Sequence, residues 1–125
     1  MSSLSNKKFV ITNKTKKMIL DLVKLTENTP KAFVYCKEQI LKVSFDLLKN
    51  ILIVNNLESS SSEIKLYIAK INSNLFMIDF FLEMYLERKW ISEKNLLDFT
   101  KKLEEISKMI SVWSSGILNV KSQIL

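Results

Sequence analysis

Two residues, Pro30 and Gly116, are the only proline and the only glycine in a chain of 125. Strand-rich folds need a turn signal about every 8–12 residues, whereas long runs without backbone breakers suit helices. The expected fold class is therefore all-α. The length suits one domain with a real core and is short for two.

Apolar periodicity resolves four helices. The first is expected from about Lys14 to Glu27, where Met18, Ile19, Leu22 and Leu25 recur at spacings of three and four. Residues 1–13, with the short run Phe9-Val10-Ile11, are set apart as an N-terminal arm, and residues 14–125 form the bundle domain. Thr29-Pro30 reads as a helix start: threonine caps free amides, and proline suits the first helical position, which needs no amide partner. The second helix then extends to about Asn56. Four serines, Ser59 to Ser62, break the periodicity, and Ser60 with Glu63 has capping-box spacing. The third helix opens there and reaches about Arg88. Ser92 is a further N-cap candidate, ahead of the stripe Leu96, Phe99, Leu103, Ile106, Ile110, Trp113 and Ile117. Short connections force antiparallel neighbours, so the expected architecture is an up-down-up-down four-helix bundle.

Composition removes most catalytic chemistry. With no histidine there is no imidazole base, no Cys/His zinc cluster and no Ser-His-Asp triad. One glycine cannot build a phosphate-cradling loop. Cys36 has no partner for a disulfide and reads as a small buried hydrophobe in a reducing compartment. No catalytic residue, metal or cofactor is expected, and the nearest acid pair, Asp79 and Glu83, reads as a solvated helix edge. No signal peptide is expected, since no apolar stretch follows residues 1–8. The most apolar window, Leu75 to Leu86, holds two acids and falls short of the roughly 20 residues of a bilayer span. A cytoplasmic protein without membrane contact is expected.

The apolar content exceeds what a lone bundle needs. At about 100° per residue, the second helix has a core stripe of Phe33, Ile40, Leu47, Ile51 and Val54, and another of Val34, Leu41, Phe45, Leu48 and Leu52 roughly 130° away. The third helix aligns Ile64, Ile68, Ile71, Leu75, Ile78 and Leu82, and sets Leu66, Phe76, Phe80 and Met84 on nearly the opposite side. Surplus faces of this kind mark protein contacts, and a homo-oligomer is the economical cover. The alternative for the second helix is a wide stripe serving both neighbours within one bundle.

Charge is uneven. Residues 1–30 carry six lysines against Asp21 and Glu27, and residues 31–57 four lysines against Glu38 and Asp46, so these segments account for the whole net charge of +6. Lys31, Lys42 and Lys49 lie within about 20° of one line on the second helix. Together with Lys17 and Lys24 they read as a ribbon for nucleic-acid phosphates, contacted without base reading. The alternative is a solvated lysine face.

The order of landmarks resembles the accessory variability determinant (Avd) family of diversity-generating retroelements: Thr29-Pro30-Lys31 opening a long helix, Leu75 to Leu86 in the third, Ile91-Ser92 opening the fourth, and Ile106-Ser107-Lys108-Met109-Ile110 leading to Trp113. The resemblance spans roughly Lys14 to Val120. It implies a homopentameric barrel of four-helix bundles without catalytic activity, which binds the retroelement reverse transcriptase, its template RNA and cDNA and supports mutagenic reverse transcription and retrohoming. Relatives of this type are basic in the third helix, where this chain has Asp79 and Glu83, so the nucleic-acid surface is expected on the first two helices. Trp113 sits on the core stripe and reads as packing. Two other functions stay open: a bundle of the ribosomal-RNA intervening-sequence type with general nucleic-acid binding, and a small-molecule or lipid binder using Phe76, Phe80, Phe81 and Met84.

Overall fold

The computed structural model describes the backbone of residues 3–58 and 61–124, and the side chains of residues 10–58 and 61–116. Within these, four long helices follow one another: α1 (Ser3–Leu25), α2 (Val34–Asn56), α3 (Ile64–Glu87) and α4 (Glu93–Ile124), with no strand. The all-α expectation holds, and the helices form a four-helix bundle. In it α1 packs on α2 and α4, and α3 on α2 and α4, while the backbones of the diagonal pairs stay farther apart among the described residues.

Cross-helix bonds fix the antiparallel order. Asn55 Nδ2 donates to Thr12 Oγ1 at 3.2 Å, tying the end of α2 to the first half of α1. Asn50 Nδ2 donates to Asn74 Oδ1 at 2.9 Å between α2 and α3. Two ion pairs, Lys14–Glu105 at 2.6 Å and Lys102–Asp21 at 2.8 Å, run in opposite chain directions along α1 and α4.

The core follows the lines that periodicity selects, except that Leu25, Phe33 and Leu96 are only half-buried, Phe33 because it precedes α2 in a 3₁₀ turn and packs on Trp90. Met18, Ile19 and Leu22 of α1, Ile40, Leu47, Ile51 and Val54 of α2, the isoleucine and leucine line of α3, and Phe99, Leu103, Ile106, Ile110 and Trp113 of α4 are all buried. Ile117 falls outside the described side chains. Three hydroxyls share this interior, and each is satisfied within its own helix or its last turn. Thr15, Thr26 and Ser44 donate to the carbonyls of Ile11, Leu22 and Ile40, four residues back, an arrangement that lets a hydroxyl lie in an apolar layer.

Helix boundaries depart from expectation at three places. The first helix begins at Ser3 rather than near Lys14, so most of the proposed arm is continuous with it. Ile11 is fully buried, on one line with Thr15, Met18 and Leu22. At the second start, Thr29 does not cap α2. Its hydroxyl bonds the Thr26 carbonyl at 2.7 Å and the Tyr85 hydroxyl at 2.8 Å, and the chain passes from Pro30 through a single 3₁₀ turn, Lys31–Phe33, into α2. Proline disfavours helical geometry at the residue before it, so α1 and α2 cannot be continuous. At the third start Ser60 lies outside the described residues, and Ser61 Oγ accepts from the Glu63 amide at 3.2 Å.

The fourth start matches the expectation. Ser92 Oγ accepts from the Asn95 amide at 3.0 Å, and Asn95 Oδ1 accepts from the Ser92 amide at 3.3 Å, a reciprocal capping box with asparagine in the glutamate position.

The turn between α3 and α4 is built without glycine. Trp90 donates its amide to the Tyr85 carbonyl at 2.9 Å and Lys89 to that of Leu86 at 2.9 Å, the paired bonds of a Schellman stop. Lys89 occupies the left-handed region at φ 62°, where a Cβ costs about 1–2 kcal/mol. The flanking aromatics hold it there. Trp90 packs edge-on against Tyr85 with ring centroids 4.9 Å apart and tilted against Phe33 at 4.9 Å, and the Arg88 guanidinium lies over Phe33 at 4.6 Å. Burial pushes the Tyr85 hydroxyl above its ordinary pKa, against the opposing pull of the Thr29 hydrogen bond, with Cys36 adding to the rise.

Replacing Lys89 with Gly should raise stability by about 0.5–1 kcal/mol, because it removes the left-handed penalty at a position whose side chain is exposed. Urea unfolding of the two chains checks this; an unchanged or lower midpoint contradicts it.

Candidate protein-contact and nucleic-acid surfaces

Helix α2 buries one stripe and leaves most of a second in water. Of its second stripe, Leu41 and Leu48 are half-buried against the core, while Val34, Phe45 and Leu52 are exposed, Phe45 at 53%. The wide-stripe alternative thus accounts for two of five residues and leaves three uncovered. On α3 the core line turns fully inward, from Ile64 to Tyr85. Met84 is half-buried, and Leu66, Phe76 and Phe80 are exposed, Phe76 at 70%. Phe80 also meets Phe81 at 5.9 Å between centroids, so two rings shelter one another at the helix surface.

Phe76 lies in an open groove between α3 and α4, with Asn72, Asp79, Thr100, Glu104 and Ser107 around it. That is a channel on the surface with carboxylates on both banks. The group Phe76, Phe80, Phe81 and Met84 is divided: Phe76 and Phe80 are exposed, while Phe81 and Met84 are half-buried against the core.

Among the described residues, five further exposed large apolar residues lie outside the stripes that periodicity singles out: Val10 and Leu20 on α1, Tyr35 on α2, and Leu97 and Val112 on α4. The signal is present for Leu20, an apolar residue outside the line Met18–Leu22 of its own helix.

The five lysines do not form one ribbon. Lys17 lines a groove between α1 and α4 together with Lys14, Asp21, Lys102 and Glu105, and Lys24 lines its continuation beside Asp98. Both stand close to the ion pairs that Glu105 and Asp21 make with Lys14 and Lys102. Lys49 lies across the bundle, in the groove between α2 and α3 with Asp46 and Lys70. Lys42 reaches Asp46 at 3.2 Å, one turn along its own helix, and Lys31 is exposed in the 3₁₀ turn. Lys31 thus precedes α2, Lys42 and Lys49 share the neighbourhood of Asp46, and Lys17 and Lys24 stand on a separate face beside Asp21, Asp98 and Glu105. The reason is positional: a helix reveals its own faces, but not which neighbour each face meets.

Among the described residues no group of three or more Cys, Asp or Glu is arranged to hold a metal ion. No helix of these residues is long and apolar enough to cross a membrane. Cys36 is a free thiol, half-buried beside the core. Trp113 is fully buried, and its indole Nε1 has no hydrogen-bond partner among the described residues, which agrees with packing as its role and sets it away from any stacking surface. No family model, curated protein or solved structure matches the chain.

Because Phe76 and Phe80 are exposed and stand outside the buried core, replacing both with Ala should change the stability of the single chain by no more than about 0.5 kcal/mol for each residue. Ile71→Ala, at a fully buried position of the same helix, should cost about 2–5 kcal/mol. Chemical unfolding at high dilution, where chains are apart, checks the contrast; a large loss in the double variant would mean that the rings support the fold itself.

Proposed function

We propose that this protein is a non-catalytic, self-associating scaffold of the Avd type, which holds nucleic acid along the lysine line of α2 and works beside a reverse transcriptase. The observation that carries the reading is the pair of uncovered apolar strips on α2 and α3, which a lone chain would leave wetted. Self-association covers them and repeats the basic line once per copy, raising the local field that attracts phosphates.

The nucleic-acid surface in this reading is Lys31, Lys42 and Lys49, with Asp46 beside the last two, and Lys17 and Lys24 are an outlying pair tempered by Asp21, Asp98 and Glu105. Lysine ammonium groups on flexible stems suit backbone phosphates and read no base edges. Binding is accordingly weakly sequence-specific and salt-sensitive. The choice of a reverse transcriptase, its template RNA and cDNA as partners, and of five as the copy number, rests on the family resemblance carried by Thr29-Pro30-Lys31 and by Ile106 to Trp113.

Titration of a mixed-sequence single-stranded RNA over a range of salt tests the surface. Replacing Lys31 and Lys49 together with Ala should weaken binding across sequences and flatten the plot of log affinity against log salt by about 0.7 for each phosphate no longer neutralised. Replacing Lys17 and Lys24 should do markedly less. An unchanged slope in the first variant would mean that the line is solvated surface only.

A further inference from the structure

At one end of the bundle the α1–α2 connection meets the α3–α4 turn, with the Phe33 and Trp90 rings 4.9 Å apart. Arg88, the one arginine of the chain, lies on this pair, its guanidinium 4.6 Å from the centre of the Phe33 ring and 5.5 Å from that of Trp90. Ring faces attract the positive charge of the group, whereas its five N–H donors form a planar fork along the edge. The rings therefore fix the guanidinium without using its hydrogen bonds. Among the described residues nothing else uses them either. Arg88 is exposed, no side-chain hydrogen bond or ion pair holds it, and the exposed carboxylates at this end, Glu27, Glu38, Glu87 and Glu93, stay beyond ion-pair distance. Glu87, its neighbour in the chain, points about 100° away round the helix.

Two lysines accompany the fork. Lys31 opens the 3₁₀ turn that ends at Phe33, and Lys89 follows Arg88; both are exposed and outside the ion pairs of the described residues. Lys89 holds its ammonium here in a left-handed backbone conformation, φ 62°, that glycine would adopt more easily. Three cations suit an anion of more than one charge. A carboxylate or a phosphodiester is balanced by the guanidinium alone, whereas a phosphate monoester carries about two charges near pH 7 and offers three acceptor oxygens. We infer that Arg88, Lys31 and Lys89 form a binding site for a phosphate monoester. The fork takes two of its oxygens side by side, and the lysines reach the remaining charge on flexible stems. Because the rings hold the guanidinium in place beforehand, little ordering cost is left for the binding step. The site is independent of self-association. Its phosphate can come from the 5′ end of a strand or from a small phosphorylated compound.

Tryptophan fluorescence reads the site, since Trp90 lies beside the guanidinium while Trp113 is fully buried. Inorganic phosphate at constant ionic strength should change the emission saturably, and acetate should need at least about tenfold higher concentration for the same change. Arg88→Lys keeps the charge and removes the fork, so it should weaken phosphate binding at least about fivefold. Lys89→Gly should weaken it too while the fold becomes more stable, a combination that a purely structural role for Lys89 does not produce. Circular dichroism confirms that both variants are folded. A short RNA with a 5′-phosphate, compared with the same RNA ending in a 5′-hydroxyl, separates the sources: tighter binding of the first assigns a strand end, and equal binding assigns a small phosphorylated compound. Phosphate acting no better than acetate, or binding left unchanged by Arg88→Lys, overturns the site. Loss of all RNA binding with the phosphate response intact overturns the nucleic-acid reading above and leaves this site standing.

Discussion

A helix in a four-membered bundle touches two neighbours, and the stripe it can bury is on the order of 100° wide or a little more. That limit governs everything this chain does with its apolar residues. Helix α3 commits one line, Ile64 through Tyr85, to the interior, and the turn of the helix then leaves Leu66, Phe76 and Phe80 outside. Helix α2 does the same with Val34, Phe45 and Leu52. No rotation of either helix resolves the conflict, since bringing Phe76 in would expel Ile71 or Leu75. Hydrophobic burial within the chain and hydrophobic exposure outside it are thus two results of one geometric constraint.

The polar details serve the same frame. The buried Thr15, Thr26 and Ser44 hydroxyls are turned back on carbonyls four residues earlier, while the Tyr85 hydroxyl meets that of Thr29. Asparagine pairs and ion pairs sit at the helix edges, where they set register at little desolvation cost. The aromatic group around Arg88, Trp90 and Tyr85 holds the tight α3–α4 turn and keeps the two helices adjacent. That adjacency brings Asp79 and Glu104 onto opposite banks of one groove.

Most of the fold is legible in the sequence, because apolar spacing reports directly on which side of a helix is buried. Most of the four core lines and the Ser92 cap follow from residue order alone, while Leu25, Phe33 and Leu96, at the ends of their lines, are only half-buried. What escapes lies where a local signal is masked or missing. Thr15 interrupts the apolar line that joins Ile11 to Met18, so the early start of α1 is hidden, although the threonine hydroxyl is quietly satisfied by Ile11. Thr29 looks like a cap, yet a distant hydroxyl on Tyr85 competes for it. Lys89 takes a left-handed position with no glycine to announce it. On the surface, the exposed faces of α2 and α3 can be read, whereas the sorting of lysines into separate grooves depends on which helices are neighbours, and residue order within one helix does not contain that information.

If the uncovered strips belong to contacts between copies of the chain, the particle mass in solution must exceed that of one chain. Light scattering on the purified protein through a dilution series is the decisive measurement. The expected particle is several times 14.6 kDa. A homogeneous species of 14.6 kDa at every concentration, folded and soluble with Phe45 and Phe76 in water, would contradict self-association.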